Sequence, residues 1–568
     1  MRRPWILALI FLLAVAAHIA LAVNLREASP GGLRADENVY LELASTLWRE
    51  GTYGAKVSVT YPPGYPMVAA PAFAIASNGA RFAVLRTSQA LALALASLLL
   101  LPMLRSQLSQ PRAWMALAAL QLVAGAVFHG VFAQSESLYL VLLVAATGGV
   151  WIAWSSERAA PWLTLGALAG FSVATRRMGV VVPVALGMLL ALDAWQGRRE
   201  GSWRLSLKRA GLLGAGAIVG LLPEFVAAAV HGEAISPYES GAASGHLGAG
   251  LRALTSVEGV LLLVKITGAQ LAWPLLTSLA APLLVAAVWL DRRLVPEEPD
   301  RPTARVFGFV MLSLAGSAAL TILHIVRYQL GSGNRGWDVY PRYLDPLELP
   351  LLAAGVLAVV ALRKAPRPAL RSLIPWGVVV TVILVSAGPL LHTRGGRMVP
   401  PVRIARGDSL LAPIAEWLIV GGAAMAAIFV LALLGSPALR ARVRPLRWLA
   451  GAMLAGWLVS AHMPPRLFSP PPSSTPKVLR ANALTSAPTA PLGVVVHRPG
   501  PYGRHYYEPA FRSDHPVWFL APGEVDAWRN THRDGFVLVH RKDRKRASDL
   551  RGGTRAGDWT LYPAEASP

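Results

Sequence analysis

The sequence predicts an all-α polytopic membrane protein with about thirteen transmembrane helices, interfacial helices in its first exterior loop and a small α+β extracytoplasmic domain at the C-terminus. Hydrophobic residues make up 54% of the 568 residues, and charged residues make up 15%. Apolar runs of about 20 residues, the length that crosses a bilayer, recur along most of the chain. The net charge of +23 comes largely from short basic loops between these runs, which indicates membrane topology rather than nucleic-acid binding.

The predicted spans cover residues 5–23, 82–104, 113–131, 137–154, 160–175, 178–195, 210–230, 272–290, 305–325, 346–362, 372–391, 411–434 and 448–463. With a cytoplasmic N-terminus, most of the arginine-rich short loops lie in the cytoplasm, as the positive-inside rule predicts. The longer exterior loop 392–410 also contains arginines, which are either tolerated there or bind an anionic lipid phosphate. The longer loops and the C-terminal tail then lie outside an inner (plasma) membrane. Residues 257–271 are ambiguous, because a further span there would reverse every later orientation.

The sequence divides into three parts. Residues 1–463 form the predicted transmembrane domain, and 464–491 form a linker rich in proline, serine and threonine. Residues 492–568 form the predicted small domain, with short strands near 493–497, 517–520, 535–540 and 559–562 and a helix near 522–529.

The first exterior loop contains an amphipathic pattern that begins at Asp36 and Glu37. Its apolar positions share one helical face, and they are Tyr40, Leu43, Ala44, Leu47 and Trp48. We expect this helix to lie in the membrane interface with its apolar face among the lipid headgroups. The two carboxylates have two roles that stay open: capping the helix and complementing its dipole, or acting as general base toward an acceptor hydroxyl.

Three charged residues lie next to the fourth and fifth spans. Glu136 opens the fourth span, where it is either a first-turn residue of a helix capped by Ser135 or a functional group. Arg176 and Arg177 end the fifth span on the exterior side, against the positive-inside bias. Two guanidinium groups in this position require an anion, which is either a structural partner (Glu136 or Asp36) or a lipid phosphate.

Arg342 and Tyr343 precede the tenth span. Taken alone, they are explained by an aromatic-belt tyrosine beside a snorkelling arginine. Taken with the other exterior polar residues, they are candidates for substrate binding.

The sequence follows an acidic first loop with a juxtamembrane helix, a YPPGYP loop at 61–66, a Ser-Glu turn, a Thr-Arg-Arg stretch and a late Arg-Tyr pair. In this order the motifs resemble the C-type glycosyltransferase superfamily, specifically the branch of protein O-mannosyltransferases and the lipid A aminoarabinose transferase. The resemblance is good over residues 1–195 and weaker around 326–362. It implies inverting transfer of a sugar from a polyprenyl-phosphate donor to a lipid, glycan or protein acceptor on the non-cytoplasmic face.

By the same resemblance, Asp36 is the catalytic base, with Glu37 as the alternative, and Arg176 and Arg342 face the donor phosphate. The remaining substrate-binding candidates are Tyr61, Tyr65, Glu136, Arg177 and Tyr343. No metal-ligand cluster is evident, so no cofactor is assigned and a divalent metal is left open. The alternative function is a transporter or flippase of a lipid-linked glycan precursor. The absence of an internal sequence repeat and the position of the charges at span ends favour the enzyme.

Overall fold

The computed structural model describes residues 4–24, 35–54, 61–130, 134–198, 203–231, 242–291, 302–332, 343–364, 374–390, 412–461, 487, 490–496, 515–540, 543, 550–556 and 559–565. The described part of the membrane domain is helical. Its first helices are α1 (Pro4–Asn24), α2 (Ala35–Glu50), α3 (Gly64–Ala69), α4 (Asn78–Leu98), α5 (Leu101–Gln107), α6 (Gln110–Gln121), α7 (Ala124–Gly130), α8 (Ser135–Trp154), α9 (Ala159–Thr175) and α10 (Val181–Gly197).

The later helices are α11 (Trp203–Gly220), α12 (Leu222–His231), α13 (Ala242–Leu254), α14 (Val257–Thr277), α15 (Ala281–Leu290), α16 (Pro302–Ser332), α17 (Glu348–Lys364), α18 (Ile374–Leu390), α19 (Ala412–Gly435), α20 (Pro437–Arg442) and α21 (Pro445–Ala461). Single 3₁₀ turns follow α3 at Ala70–Ala74 and α9 at Arg177–Val180, and another precedes α17 at Asp345–Leu347.

The chain has the helices of a multi-pass membrane protein. Seven helical segments in the described residues are long and apolar enough to cross a bilayer. A helix occupies each of the thirteen predicted spans, but several spans are broken into two shorter helices, such as α4 with α5 and α11 with α12. The number thirteen therefore stays a prediction.

Residues 257–290, which contain the ambiguous stretch 257–271 and the predicted span 272–290, follow one bent path beside α16. Ile266 of α14 packs against Ile325 and Val326 in the second half of α16. Trp289, near the end of α15, lies against Gly308 near the start of α16. The two helices thus run in the same direction, antiparallel to α16, with a break at Leu279 and Ala280, whose φ angles are 45° and 58°. α14, with 21 residues, is one of the seven segments long enough to cross a bilayer, whereas α15 has 10 residues. This arrangement favours one span in 257–290 rather than two.

Four glycines let α9 and α11 approach until their backbones touch. A Cβ atom on Gly166 or Gly170 would lie 2.1 Å from a carbonyl oxygen of α11, and one on Gly216 or Gly220 would lie 2.1 Å from a carbonyl oxygen of α9. Small residues four positions apart permit close packing between membrane helices. These close contacts, the α9–α11 seam, fix the position of α9 and therefore the position of Arg176 at its end.

The predicted helix in the first exterior loop is present as α2, but its surroundings differ from those expected. Tyr40 and Ala44 belong to a protein core with Tyr65 of α3, and Leu43 packs against Ala227 of α12. The expectation that this apolar face lies among lipid headgroups is wrong for these residues, because other parts of the chain cover them. Trp48 is 48% exposed. The helix is also partly covered outside these apolar positions, since Glu42 is buried.

The C-terminal region forms a five-stranded sheet with strand order β2-β1-β3-β5-β4. The strands are β1 (Leu492–Val495), β2 (Val517–Leu520), β3 (Phe536–His540), β4 (Thr554–Ala556) and β5 (Trp559–Pro563). β1 is parallel to β2 and β3, whereas β5 is antiparallel to β3 and β4. Helix α22 (Val525–Thr531) covers one face through Trp528. The predicted strands and helix are thus present.

We expect Gly170→Ala to destabilise the protein by about 1–3 kcal/mol, because the new methyl group would overlap a backbone carbonyl of α11. Thermal unfolding in detergent measures the change. Gly187→Ala in α10 is the matched control, because it is also inside a helix and has nothing within 4 Å of the new Cβ. That substitution should be neutral or should stabilise by up to about 1 kcal/mol. Equal melting temperatures for the two variants would contradict close α9–α11 packing.

Candidate active site

A buried ion pair joins the start of α8 to the end of α9. Arg176 Nη1 lies 2.6 Å from Glu136 Oε1, and the two side chains are 10% and 0% exposed. Arg176 Nη1 also donates to Ser135 Oγ at 3.3 Å, and Ser135 Oγ donates to Glu136 Oε2 at 3.2 Å. Of the structural partners considered for Arg176, the structure therefore shows Glu136. Capping by Ser135 is wrong, because the N-cap of α8 is Gln134, which makes no side-chain capping bond.

Tyr343 supplies a second contact to the same guanidinium. The Cζ atom of Arg176 lies 4.7 Å from the centroid of the Tyr343 ring, at the distance of a cation–π interaction. The ring also meets His324 of α16 edge-on, with the centroids 5.9 Å apart. Tyr343 precedes α17, so this contact brings α9, α16 and the segment before α17 together. Arg342, the other candidate here, lies outside the described residues.

Arg177 has a different partner from its neighbour. Its Nη1 lies 2.6 Å from Glu224 Oε1, and its Nη2 donates to Glu224 Oε2 at 3.5 Å. Glu224 lies in the first turn of α12. Glu224 was not singled out from the sequence. Its position inside the apolar stretch 210–230 was the available signal, because an ionisable residue in a membrane span usually has a partner or a function.

The YPPGYP loop packs directly on the end of α9. A Cβ atom on Gly64 would lie 2.8 Å from Thr175 Oγ1 and 2.9 Å from the carbonyl oxygen of Ala174, so glycine allows this approach. Tyr65 is buried, and its hydroxyl oxygen accepts a hydrogen bond from Gln89 Nε2 at 2.8 Å. Tyr65 directly follows, in sequence, the glycine that touches the end of α9.

Aromatic rings connect this loop to α2. The Tyr40 ring centroid lies 5.1 Å from that of Tyr61 and 5.5 Å from that of Tyr65. Both tyrosines of the YPPGYP loop therefore contact the helix that begins with the predicted base. They are positioned to hold α2 against the end of α9.

Tyr53, in the segment after α2, adds a buried hydrogen bond. Its hydroxyl donates to the carbonyl oxygen of Tyr61 at 2.6 Å. Burial raises the pKa of Tyr53 well above its ordinary value, Tyr40 and Glu224 raise it further, and Arg177 opposes them. The hydroxyl thus keeps its proton at neutral pH and remains a donor. Tyr53 was not singled out from the sequence.

The first turn of α2 contains Asp36 and Glu37. The side chains of both lie outside the described part of the structure, so the assignment of the base stays a prediction. A helix N-terminus favours carboxylates through its dipole, which agrees with the structural role considered for this pair.

A second cluster of buried ionisable groups lies near the start of α17. Trp273 Nε1 donates to Asp345 Oδ1, and His129 Nε2 lies 3.8 Å from Asp345 Oδ2. Glu348 is 6% exposed. A Cβ atom on Gly125 would lie 2.1 Å from Glu348 Oε2, so the absence of a side chain there makes room for this carboxyl group. This cluster was not predicted from the sequence, although two carboxylates at the start of an apolar span were a signal.

The described residues contain no group of three or more histidine, cysteine, aspartate or glutamate side chains that could hold a metal ion. No ligand set for a divalent metal can therefore be named from this part of the chain.

No protein-family model matches the chain, and no curated protein sequence matches it. Among solved structures, ArnT from Cupriavidus metallidurans bound to undecaprenyl phosphate matches with a TM-score of 0.51 and 13% identity, over 100% of this chain and 99% of ArnT. Apo ArnT gives a TM-score of 0.49 at 15% identity, over 99% of both chains. Arabinosyltransferase EmbB from Mycobacterium smegmatis gives 0.40 at 14% identity, over 80% of this chain and 41% of EmbB.

ArnT is a C-type glycosyltransferase. At 13% identity the first match shows the fold and nothing finer. The chain therefore shares the fold of ArnT, which is the fold that the resemblance implied.

We expect Glu136→Gln to destabilise the protein by about 3–5 kcal/mol, because it leaves the Arg176 guanidinium buried beside an uncharged partner. The double variant Glu136→Gln with Arg176→Met should lose less, since neither charge then remains. Thermal unfolding in detergent of the two single variants and the double variant measures this coupling. Additive losses would show that the two residues do not stabilise each other.

Proposed function

We propose that the protein is a membrane glycosyltransferase that moves a sugar from a polyprenyl-phosphate donor to a lipid, glycan or protein acceptor of the cell envelope. The observation that carries the proposal is the fold shared with ArnT, over 100% of this chain and 99% of that one, in a structure of ArnT bound to undecaprenyl phosphate. The cluster of Glu136, Arg176 and Tyr343 at one end of the helix bundle supports it.

At the donor end, the leaving group is an anionic phosphate, which requires cations that are already in position. Arg176 is proposed to contact this phosphate, since a guanidinium can serve a carboxylate and a phosphate with different edges of its planar fork. Glu136 then acts as a positioning residue, because its carboxylate fixes the guanidinium from the side of α8. Arg342, one residue before Tyr343, is proposed as a second phosphate contact.

At the acceptor end, Asp36 is proposed to take the hydroxyl proton, with Glu37 as the alternative. The acceptor oxygen attacks the anomeric carbon from the face opposite the phosphate and forms the new glycosidic bond. The bond from that carbon to the phosphate oxygen breaks, and its electron pair leaves with the polyprenyl phosphate. One displacement inverts the anomeric centre, and the proton ends on the carboxylate. The packing of α2 on the YPPGYP loop, which touches the end of α9, supports this assignment.

The proposed site faces the non-cytoplasmic side of an inner (plasma) membrane, with a cytoplasmic N-terminus. This orientation is supported by the positive-inside rule, because the short basic loops lie at the ends of the spans opposite to the proposed site. Glu136, Arg176 and Arg177 lie at helix ends rather than near the middle of a span. That position favours an enzyme over a transporter or flippase, whose binding residues lie near the bilayer midplane.

Asp36→Asn should lower transfer from a labelled polyprenyl-phosphate sugar by about 100-fold or more, because an amide cannot accept the hydroxyl proton. Initial rates in membranes with matched expression measure the effect. Glu37→Gln is the neighbouring control, and Glu50→Gln at the other end of α2 is the distant one. If transfer activity is lost in Glu37→Gln but not in Asp36→Asn, the catalytic base is Glu37. Full activity in both Asp36→Asn and Glu37→Gln would rule out a base at this helix end.

Arg176→Lys should raise the KM for the lipid-linked donor by roughly tenfold, with a smaller change for the acceptor, because an ammonium cannot replace the planar fork. Steady-state rates at varied donor and acceptor concentrations separate the two constants. Arg158→Lys, in an exposed position before α9, is the control. An unchanged donor KM in Arg176→Lys would argue against contact between Arg176 and the phosphate.

A further inference from the structure

The C-terminal sheet shares its hydrophobic core with the helices of the candidate site. One face of the sheet is covered by α22. The other face packs against residues of α2, α3, the following 3₁₀ turn and the start of α4. The residues of the C-terminal region in this shared core are Leu492, Val494, Val496, Val517, Phe519, Leu538, Trp559 and Leu561. The predicted small domain therefore has no separate core on this face. The sheet covers part of α2.

A cation at the end of α2 binds the open edge of that sheet. β2 is an edge strand, and its neighbouring carbonyls at Pro516 and Leu520 accept amide hydrogens from the β1 side. Because carbonyls alternate along a strand, the carbonyl of Val517 points to the open edge. Arg49 Nη1 donates to this carbonyl, and Arg49 Cζ lies 5.1 Å from the centroid of the Trp518 ring.

Arg49 remains a cation in this position. Burial lowers its pKa to about 10, nearby Arg81 lowers it also, and Glu50 opposes them. A group with this pKa is protonated at neutral pH, so both contacts are charge-assisted. Arg49 also lies in the last turn of α2, where a cation complements the helix dipole.

The same helix begins with the predicted base. Its 16 residues span about 24 Å, and a helix of this length moves as a rigid rod when one end is displaced. Fixing the last turn at β2 therefore limits where the first turn, with Asp36, can lie. The aromatic contacts at Tyr40 fix the rotation of the same rod against the YPPGYP loop.

We propose that Arg49 is a positioning residue: by fastening the last turn of α2 to the open edge of β2, it couples docking of the C-terminal sheet to the placement of Asp36. The inference rests on the proposed glycosyl transfer for its catalytic consequence. The docking itself does not depend on that function.

The catalytic test is the kinetics of Arg49→Ala with labelled polyprenyl-phosphate sugar. We expect kcat to fall by roughly 10-fold to 100-fold, since small misplacements of a reacting group have effects of this size, while the donor KM changes by less than about twofold. Arg49→Lys, which keeps one charged donor, should be intermediate. Arg555→Ala, an exposed arginine on β4, is the matched control and should retain full activity. Unchanged kcat in a folded Arg49→Ala variant would overturn the coupling.

A second measurement tests docking without using activity. The chain has no cysteine, so spin labels on Thr52→Cys and Ala527→Cys report only on the distance between the end of α2 and the C-terminal domain. We expect a narrow distance distribution in the parent and a broad one after Arg49→Ala. A distribution that stays narrow would overturn the role of Arg49 whatever the kinetics show.

The two measurements also separate this inference from the proposed function. If the parent transfers no sugar from the polyprenyl-phosphate donor but Arg49→Ala broadens the distance, the function fails and the fastening of α2 stands. If the parent transfers sugar and Arg49→Ala changes neither kcat nor the distance, the function stands and the inference fails.

Discussion

The buried ion pair between Glu136 and Arg176 is the constraint around which the rest of the site is arranged. Removing two charges from water costs several kcal/mol for each ion, which is repaid only when geometry and additional hydrogen bonds are good. The pair meets this demand with a 2.6 Å contact and hydrogen bonds through Ser135. Because the two charges must meet, the start of α8 and the end of α9 are held together, and Tyr343 and the YPPGYP loop pack against that junction.

Glycine makes the close approaches around this junction feasible. Gly64 allows the YPPGYP loop to reach the α9 terminus, and the glycines of the α9–α11 seam remove the side chains that would hold those helices apart. In a bilayer, helix association depends on such packing more than on the hydrophobic effect, since lipid tails are as apolar as the helices. The position of Arg176 is thus set by backbone contacts as well as by its own charge.

The membrane fold, the helix at α2 and the C-terminal strands were predictable because each depends on composition or periodicity over a short window. The partner of Arg176 was predictable as one of two carboxylates, because a buried charge requires an opposite charge. Periodicity showed which face of α2 is apolar, but it could not show that a sheet more than 400 residues later covers it. The contacts of Arg177 with Glu224 and of Asp345 with Trp273 join segments 47 and 72 residues apart, and no local pattern specifies such pairings.

The charges around Arg176 and Arg177 limit which arginine can neutralise the phosphate of the proposed donor. A buried guanidinium without an anion would be costly whenever no donor is bound, so Glu136 makes the empty site stable. The same carboxylate leaves the pair with no net charge, so Arg176 by itself does not neutralise an incoming phosphate. Arg177 forms its own ion pair with Glu224. The proposed donor site therefore requires a cation from another segment, and Arg342 is the candidate adjacent in sequence to the tyrosine that already contacts Arg176.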